Sequence, residues 1–109
     1  MKKQFRIRKN EEFSRIIAKK RSYANESFII YIDSRAEEHA KVGLSVSKKL
    51  GDAVTRNRIK RQIRMMFIEH FDFESYPNDV IVIARNRYLE NDFEGNLANL
   101  EKLLKKAIM

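Results

Sequence analysis

The chain has 109 residues, which is enough for one domain with one hydrophobic core, so we expect a single domain over residues 1–109. It contains no cysteine, which excludes a disulfide scaffold and a cysteine-based zinc site. The net charge of +8, with 43% hydrophobic residues, indicates a folded protein that attracts polyanions, of which nucleic acid is the commonest.

The first half of the chain predicts one helix followed by strands. Asn10 is a candidate N-cap for a helix that ends near Lys20, and Phe13, Ile16 and Ile17 form its apolar stripe. The β-branched and aromatic content predicts strands over 28–32 and 42–47, with a weaker signal at 22–23. The polar segment 34–40 is expected to be a hairpin connection.

The second half predicts a helix, a buried strand and a closing helix. Asp52 or Thr55 is expected to cap the first of these helices. The continuous apolar run 80–84 is typical of a strand covered on both faces. Apolar residues from Phe93 to Ala107 recur at helical spacing. The pattern therefore predicts one sheet with helices packed on it.

Basic residues are concentrated in two blocks. Residues 1–21 carry nine basic and two acidic side chains, and residues 41–64 carry eight basic and one acidic. A membrane surface would be a competing partner, but it usually requires a large exposed apolar face. The basic start is not followed by an apolar run, so no signal peptide is expected and the protein is predicted to be cytoplasmic.

The stretch Thr55–Arg64 has five Lys or Arg residues in ten positions and no acid. On a helical projection, one side carries apolar residues that would dock on the sheet, and the other side carries the charges. A solvated face normally mixes signs at i and i+4, whereas Arg56, Lys60 and Arg64 place like charges there, at a cost of about 0.2–0.5 kcal/mol per pair in an isolated helix. We therefore interpret this face as a binding surface for a polyanion rather than as an ordinary solvated face.

No protein-borne active site is expected. Hydrolysis of a phosphodiester by the protein would need carboxylates that converge on Mg²⁺, or a histidine general base. Asp52 is better explained as a cap, and His39 and His70 are single. The acids Asp72, Glu74 and Asp79, which flank Pro77, are expected to lie in a solvated loop.

The segment Lys41–Arg64 resembles the signature region of the bacterial ribonuclease P protein subunit. It has a strand, a Ser-Lys-Lys turn and a helix with the Arg-Asn-Arg-x-Lys-Arg pattern. Further similarity to the family runs in order along the chain, in Arg8–Phe13, Ala24–Tyr31 and Asp79–Arg85. One departure is the turn after the first helix, where Lys20–Ser22 stands in place of a glycine that family members often have.

The resemblance implies an α+β fold, a two-layer α/β sandwich similar to the second domain of ribosomal protein S5, with a four-stranded sheet in αβββαβα order. It implies a subunit that joins a catalytic RNA and helps it to remove the 5′ leader from precursor tRNA. The RNA would perform the hydrolysis and hold most of the Mg²⁺, and the protein would carry no cofactor, no metal and no catalytic residue. Neither a membrane nor DNA is expected as a partner.

The resemblance also assigns two RNA-contacting surfaces. The first, here called the basic face, would contact the catalytic RNA or the leader and consists of Lys48, Lys49, Arg56, Asn57, Arg58, Lys60, Arg61 and Arg64. The second, here called the leader groove, consists of Phe13, Ile17, Tyr31, Lys41 and Ser45. Single-stranded RNA prefers such a combination of cations with flat or apolar side chains under its bases. The alternative is that Phe13 and Ile17 are core residues, which is our expectation for Ile16.

Two other classes of protein remain open. A ribosomal protein of the same fold would also be small and basic, but would bind ribosomal RNA for structure. A DNA-binding regulator could use Thr55–Arg64 as a recognition helix, although no short helix and turn are predicted before it.

Overall fold

A computed structural model describes residues 1–108 of the chain. Its regular elements are helix α1 (Asn10–Ala18), strands β1 (Ser22–Ala24), β2 (Phe28–Ser34) and β3 (Val42–Ser45), helix α2 (Ala53–His70), strand β4 (Asn78–Ala84) and helix α3 (Phe93–Lys106). The predicted α+β class and the αβββαβα order are confirmed. Short 3₁₀ turns lie at Lys3–Phe5, Lys48–Leu50 and Asn86–Glu90.

The four strands form one sheet in the order β1-β2-β4-β3. β2 pairs with β1 and β4 in antiparallel fashion, and β3 pairs with β4 in parallel. The predicted hairpin over 34–40 is therefore wrong, because β4 lies between β2 and β3. β4 is apolar on both faces, and the central position buries both of them. The parallel pair requires a crossover, which α2 supplies.

The two faces of the sheet are covered unequally. One face carries Phe28, Ile30 and Ile32 of β2 with Val80 and Val82 of β4, and these side chains form the main core together with α2 and α3. The opposite face is covered by α1, where a smaller buried cluster joins Ile81 of β4 to Ile16 and Ile7. Ile16 is fully buried, as expected. The residues of this second face at its margins are only partly covered.

Two of the three helices begin with an aspartate cap. Asp52 accepts a hydrogen bond from the backbone N–H of Thr55 at 2.9 Å, and this bond is the main reason that the pKa of Asp52 lies below its ordinary value. Asp92 caps α3 in the same way through Gly95. The prediction that Asn10 caps α1 is wrong, because Lys9 occupies the N-cap position and forms no side-chain cap. Within residues 1–108, no helix combines the length and the apolar character needed to cross a membrane.

The turn that follows α1 contains a residue in the left-handed region. Lys20 has a φ of 57°, and it is the non-glycine residue with positive φ among the described residues. A side chain in this region meets the following carbonyl and raises the energy by about 1–2 kcal/mol, a penalty that glycine avoids. The turn after α1 therefore contains a strained backbone position.

Replacing Lys20 with glycine should raise the free energy of unfolding by up to about 1 kcal/mol, because the strain is removed at the expense of some unfolded-state entropy. Urea denaturation measures the change. Lys19→Gly is the matched control, since Lys19 has ordinary right-handed dihedral angles and glycine there should destabilise the protein. If both variants lose the same free energy of unfolding, the turn is not strained.

Candidate nucleic-acid interface

Helix α2 separates apolar and basic side chains onto two sides. Ile59, Ile63, Met66 and Phe67 are buried against the sheet, as the sequence predicted. The side chains of Arg58, Arg61 and Arg64 are exposed, and those of Arg56 and Lys60 are partly exposed. Asn57 is exposed beside them, and Lys48 and Lys49 are exposed on the 3₁₀ turn that precedes the helix. The structure thus brings all eight residues of the basic face together at α2 and its N-terminal approach.

The charges of the basic face are offset only weakly within the described residues, where Asp52 at the N-cap of α2 is close enough for Arg56 and Arg58 to contribute to lowering its pKa. The ion pairs of residues 1–108 involve Arg15, Lys41, Arg87 and two histidines, and none of them involves a Lys or Arg of the basic face. Cations that repel one another along a helix without an acidic partner lower helix stability. They are also free to meet phosphate oxygens, which arginine binds with two parallel hydrogen bonds.

The approach to α2 is fixed by its backbone. The hydroxyl of Ser47 accepts a hydrogen bond from the N–H of Lys49 at 3.2 Å. Gly51 has a φ of 140°, and a Cβ there would lie 3.0 Å from the side chain of Thr55. Glycine is therefore required at this position, and the turn holds Lys48 and Lys49 in a defined place before the helix.

The second face of the sheet forms a shallow groove beside α1. The ring of Phe13 lies on Gly43, where a Cβ would come within 2.7 Å of the Phe13 Cζ atom. Phe13 is half-buried and packs on the small cluster with Tyr31 and Ile83, which are also partly exposed. The absence of a side chain at Gly43 therefore lets an aromatic ring lie directly on the strand.

The predicted leader groove residues lie around this feature. Tyr31 and Ser45 are on the same face as Gly43, since Tyr31 and Gly43 both pair with Ile81, and Ser45 is two residues further along β3. Ser45 is exposed, and Ile17 on α1 retains 40% of its accessible surface. Ile83 was missed by the sequence reasoning, although strict alternation along β4 places it on this face.

Lys41 differs from the other groove residues because its charge is already paired. Its ammonium Nζ lies 3.1 Å from the Glu12 carboxylate and 3.8 Å from that of Glu37. It directly precedes β3, and Ser45 ends the strand. Lys41 is therefore at the opposite end of the groove from Ser45, where two acids reduce its attraction for a phosphate.

The sequence reasoning also missed an ion-pair cluster at one end of the second face. Arg15 of α1 donates through Nη1 to Asp33 at 2.6 Å and through Nη2 to Asp79 at 2.7 Å. Asp79 is only 1% exposed, and its other carboxylate oxygen accepts from the backbone N–H of Lys41. The expectation that Asp79 lies in a solvated loop is wrong, because it belongs to β4 and pairs with α1 across 64 positions.

Burial alone would lower the pKa of Arg15, but the hydrogen bonds and charges of Asp79 and Asp33 outweigh burial and hold this pKa above its ordinary value. Asp33 and Asp79 face each other on neighbouring strands, so the guanidinium also relieves their mutual repulsion. This cluster fixes α1, and the cation of Arg15 is fully engaged by its two carboxylates. Residues 1–108 contain no group of three His, Asp or Glu side chains arranged to hold a metal ion.

Known proteins resemble this chain over nearly its whole length. Residues 1–108 match the family model for ribonuclease P. The ribonuclease P protein components of Mesoplasma florum and Bacillus pumilus are 44% and 45% identical to it. These alignments cover 95% and 98% of this chain, and 96% and 91% of the respective relatives.

Solved structures agree with the sequence relatives. The RNase P protein of Staphylococcus aureus superposes with a TM-score of 0.83 at 42% identity, with 94% of each chain covered. The RNase P protein of Thermotoga maritima gives a TM-score of 0.79 at 27% identity, over 93% of this chain and 96% of that one. The chain therefore belongs to the ribonuclease P protein family, which implies a role in the processing of tRNA 5′ ends.

Proposed function

We propose that this chain is the protein subunit of a ribonucleoprotein in which a catalytic RNA removes the 5′ leader from precursor tRNA. The protein binds the catalytic RNA and the leader and so strengthens binding of the substrate and of Mg²⁺. The RNA performs the hydrolysis and holds most of the Mg²⁺, and the protein carries no cofactor. It acts in the bacterial cytoplasm, where precursor tRNA is made.

The observation that carries this proposal is the basic face of α2, whose cations form no ion pair within the described residues. Five Lys or Arg side chains lie on one helix whose other side is fixed in the core, and none forms an ion pair with a carboxylate among the described residues. Four of these five are arginines, which bind phosphate through two hydrogen bonds and stack on bases. A folded RNA presents both phosphates and bases to such side chains.

The groove on the second sheet face supports binding of a single strand. Phe13 and Tyr31 expose part of their rings there, and Ile17 and Ile83 add apolar surface between α1 and the sheet. Base stacking on aromatic side chains is tolerant of sequence, which suits leaders of different sequence. Phe13 can serve in both the core and the groove, because it packs on Gly43 and leaves part of its ring accessible.

Reconstitution tests the proposal as a whole. The protein is added to a bacterial ribonuclease P RNA at low Mg²⁺, and cleavage of precursor tRNA is assayed. We expect the protein to restore correct 5′ cleavage to the RNA, and we expect no cleavage by the protein alone at any concentration. Specific 5′ cleavage by RNA-free protein would contradict the division of labour. Co-purified ribosomal RNA without stimulation would favour the ribosomal-protein alternative, and tight binding to duplex DNA would favour the regulator.

The groove residues can be tested through leader dependence. Phe13→Ala and Tyr31→Ala should weaken binding of precursor tRNA by up to about a hundredfold while changing that of mature tRNA little, since stacking contributes about 1–3 kcal/mol per base. Tyr23→Ala is the matched control, because Tyr23 is a half-buried aromatic residue that packs on the main core instead.

Thermal melting accompanies these measurements, because truncation of a core aromatic residue costs about 3–5 kcal/mol. If Phe13→Ala and Tyr31→Ala lose stability but keep the full preference for precursor tRNA, both side chains are structural and the leader binds elsewhere.

The basic face predicts a change in salt dependence. Arg61→Ala and Arg64→Ala should each weaken RNA binding and lower the slope of log affinity against log salt by about one unit. Arg→Lys at the same sites separates two kinds of interaction, since lysine keeps the point charge but cannot bind a phosphate with two parallel hydrogen bonds. The free energy of unfolding should not fall, because each change to alanine removes like-charge repulsion along α2.

The matched control is Lys105→Ala with Lys106→Ala, which removes two exposed charges from α3. A double Arg61/Arg64 variant with unchanged affinity and slope would show that α2 is an ordinary solvated helix and that RNA binds another surface.

A further inference from the structure

The N-terminal segment is held firmly against the edge of the sheet. The backbone N–H of Ile7 donates to the carbonyl oxygen of Val42 at 3.0 Å, and Arg6 forms a parallel bridge with Val42. Ile7 is buried, and the ring of Phe5 stacks on Phe73 with 4.3 Å between centroids. The segment therefore covers the free edge of β3, and its side chains have fixed starting points.

This anchoring directs several cations into one cleft. Because neighbouring residues of an extended segment point to opposite sides, the burial of Ile7 turns Arg6 and Arg8 outward. Together with Lys3, Lys9 and Lys41 they line a cleft of about 630 Å³ between the segment, α1 and the start of β3. The cleft is thus assembled from three separate parts of the chain.

The positive charge of the cleft is only partly balanced. Glu12 and Glu37 also line it, and both lie within 4 Å of the Lys41 ammonium. Within residues 1–108, the side chains of Lys3, Arg6, Arg8 and Lys9 have no carboxylate at ion-pair distance, and Arg6 only donates to the carbonyl of Met1. Four cations therefore lie near one another, and none of them has a carboxylate partner that would reduce their mutual repulsion. A bound anion with several charges would relieve it.

The cleft is separate from the basic face. Lys41 lines the cleft and directly precedes β3, whereas Ser45 ends that strand and leads to Lys48 and the N-terminus of α2. Four residues of a strand span roughly 13 Å at about 3.3 Å per residue, so the two cationic surfaces lie at opposite ends of β3. A molecule that occupies both must be extended and charged at repeated intervals, as a nucleic acid strand is.

We propose that this N-terminal cleft is a second phosphate-binding site for the backbone of RNA, independent of the basic face. The inference rests on the proposed function in taking RNA as the partner. The anchored segment reduces the entropy lost on binding, because its backbone is ordered before the RNA arrives. Two sources can supply the phosphates, namely the catalytic RNA and the part of the leader that extends past the groove at the Lys41 end.

The test compares two triple variants of equal net charge. Lys3→Gln, Arg8→Gln and Lys9→Gln together remove three exposed charges from the cleft, and Lys102→Gln, Lys105→Gln and Lys106→Gln remove three exposed charges from α3. Affinity is measured at several salt concentrations for the catalytic RNA, for mature tRNA and for precursor tRNAs with leaders of increasing length. The cleft variant should lower the slope of log affinity against log salt by about two to three units, since each neutralised phosphate contributes about 0.7–0.9 to that slope. The α3 variant should leave the slope unchanged.

The pattern of weakened binding identifies the source. Weaker binding of the catalytic RNA alone assigns the cleft to its backbone, and an effect that grows with leader length assigns it to the leader; either result supports the site. If the triple variant has a much lower melting temperature than the wild type, the single variant Arg8→Gln replaces it in the test and should lower the slope by about one unit. Equal slopes for the cleft and α3 variants with every RNA would overturn the inference. Failure of the proposed function is a different result, since the wild-type protein would then not stimulate cleavage.

Discussion

Arg15 ties α1 to the sheet, and the two proposed RNA-binding surfaces beside α1, the leader groove and the N-terminal cleft, depend on that attachment. Its guanidinium bridges Asp33 and Asp79 on neighbouring strands, and Asp79 is almost fully buried. Loss of one partner of a buried pair costs about 3–5 kcal/mol in typical cases, and less here because a third of the Arg15 side chain is exposed to water. The cluster holds α1 at one end of the second sheet face. Phe13 and Ile16 then lie on the sheet, while Tyr31 and Ile83 remain partly open.

The unequal covering of the sheet explains how so small a protein offers several surfaces. One face is closed by α2 and α3 and supplies the main core, which fixes the orientation of α2 and turns its arginines outward. The other face is covered only by α1 and by Ile7 of the N-terminal segment, which bury Ile81, so a groove remains beside them. Cations lie at both ends of β3, in the N-terminal cleft and before α2. Arg15 and Arg87 pair internally and are distinct from the cations left for a partner, whereas Lys41 pairs internally and also lines the N-terminal cleft.

Local patterns predicted much of this arrangement, whereas contacts between distant residues did not follow from them. The period of α2 placed Ile59 and Ile63 inward and Arg61 outward, and the apolar run of β4 predicted a strand buried on both faces. The hairpin over 34–40 was wrong because pairing depends on β4, which comes much later in the chain. Asp79 was placed in a loop because its partner Arg15 is far away in sequence. The pairing of Lys41 with Glu12 likewise could not be predicted from composition or residue spacing. The RNA contacts of the basic face and the leader groove stay predictions.

The central claim is that the half-covered sheet face receives the leader, and cross-linking tests it most directly. The chain has no cysteine, so a single cysteine at Ser45 or at Ser75 can carry a photoactivated cross-linker without interference. Both positions are exposed, but Ser75 lies outside the groove, near the C-terminal end of α2. In the reconstituted complex with precursor tRNA, we expect cross-links from position 45 to leader nucleotides and none to the leader from position 75. Leader cross-links from position 75, with none from position 45, would contradict the account.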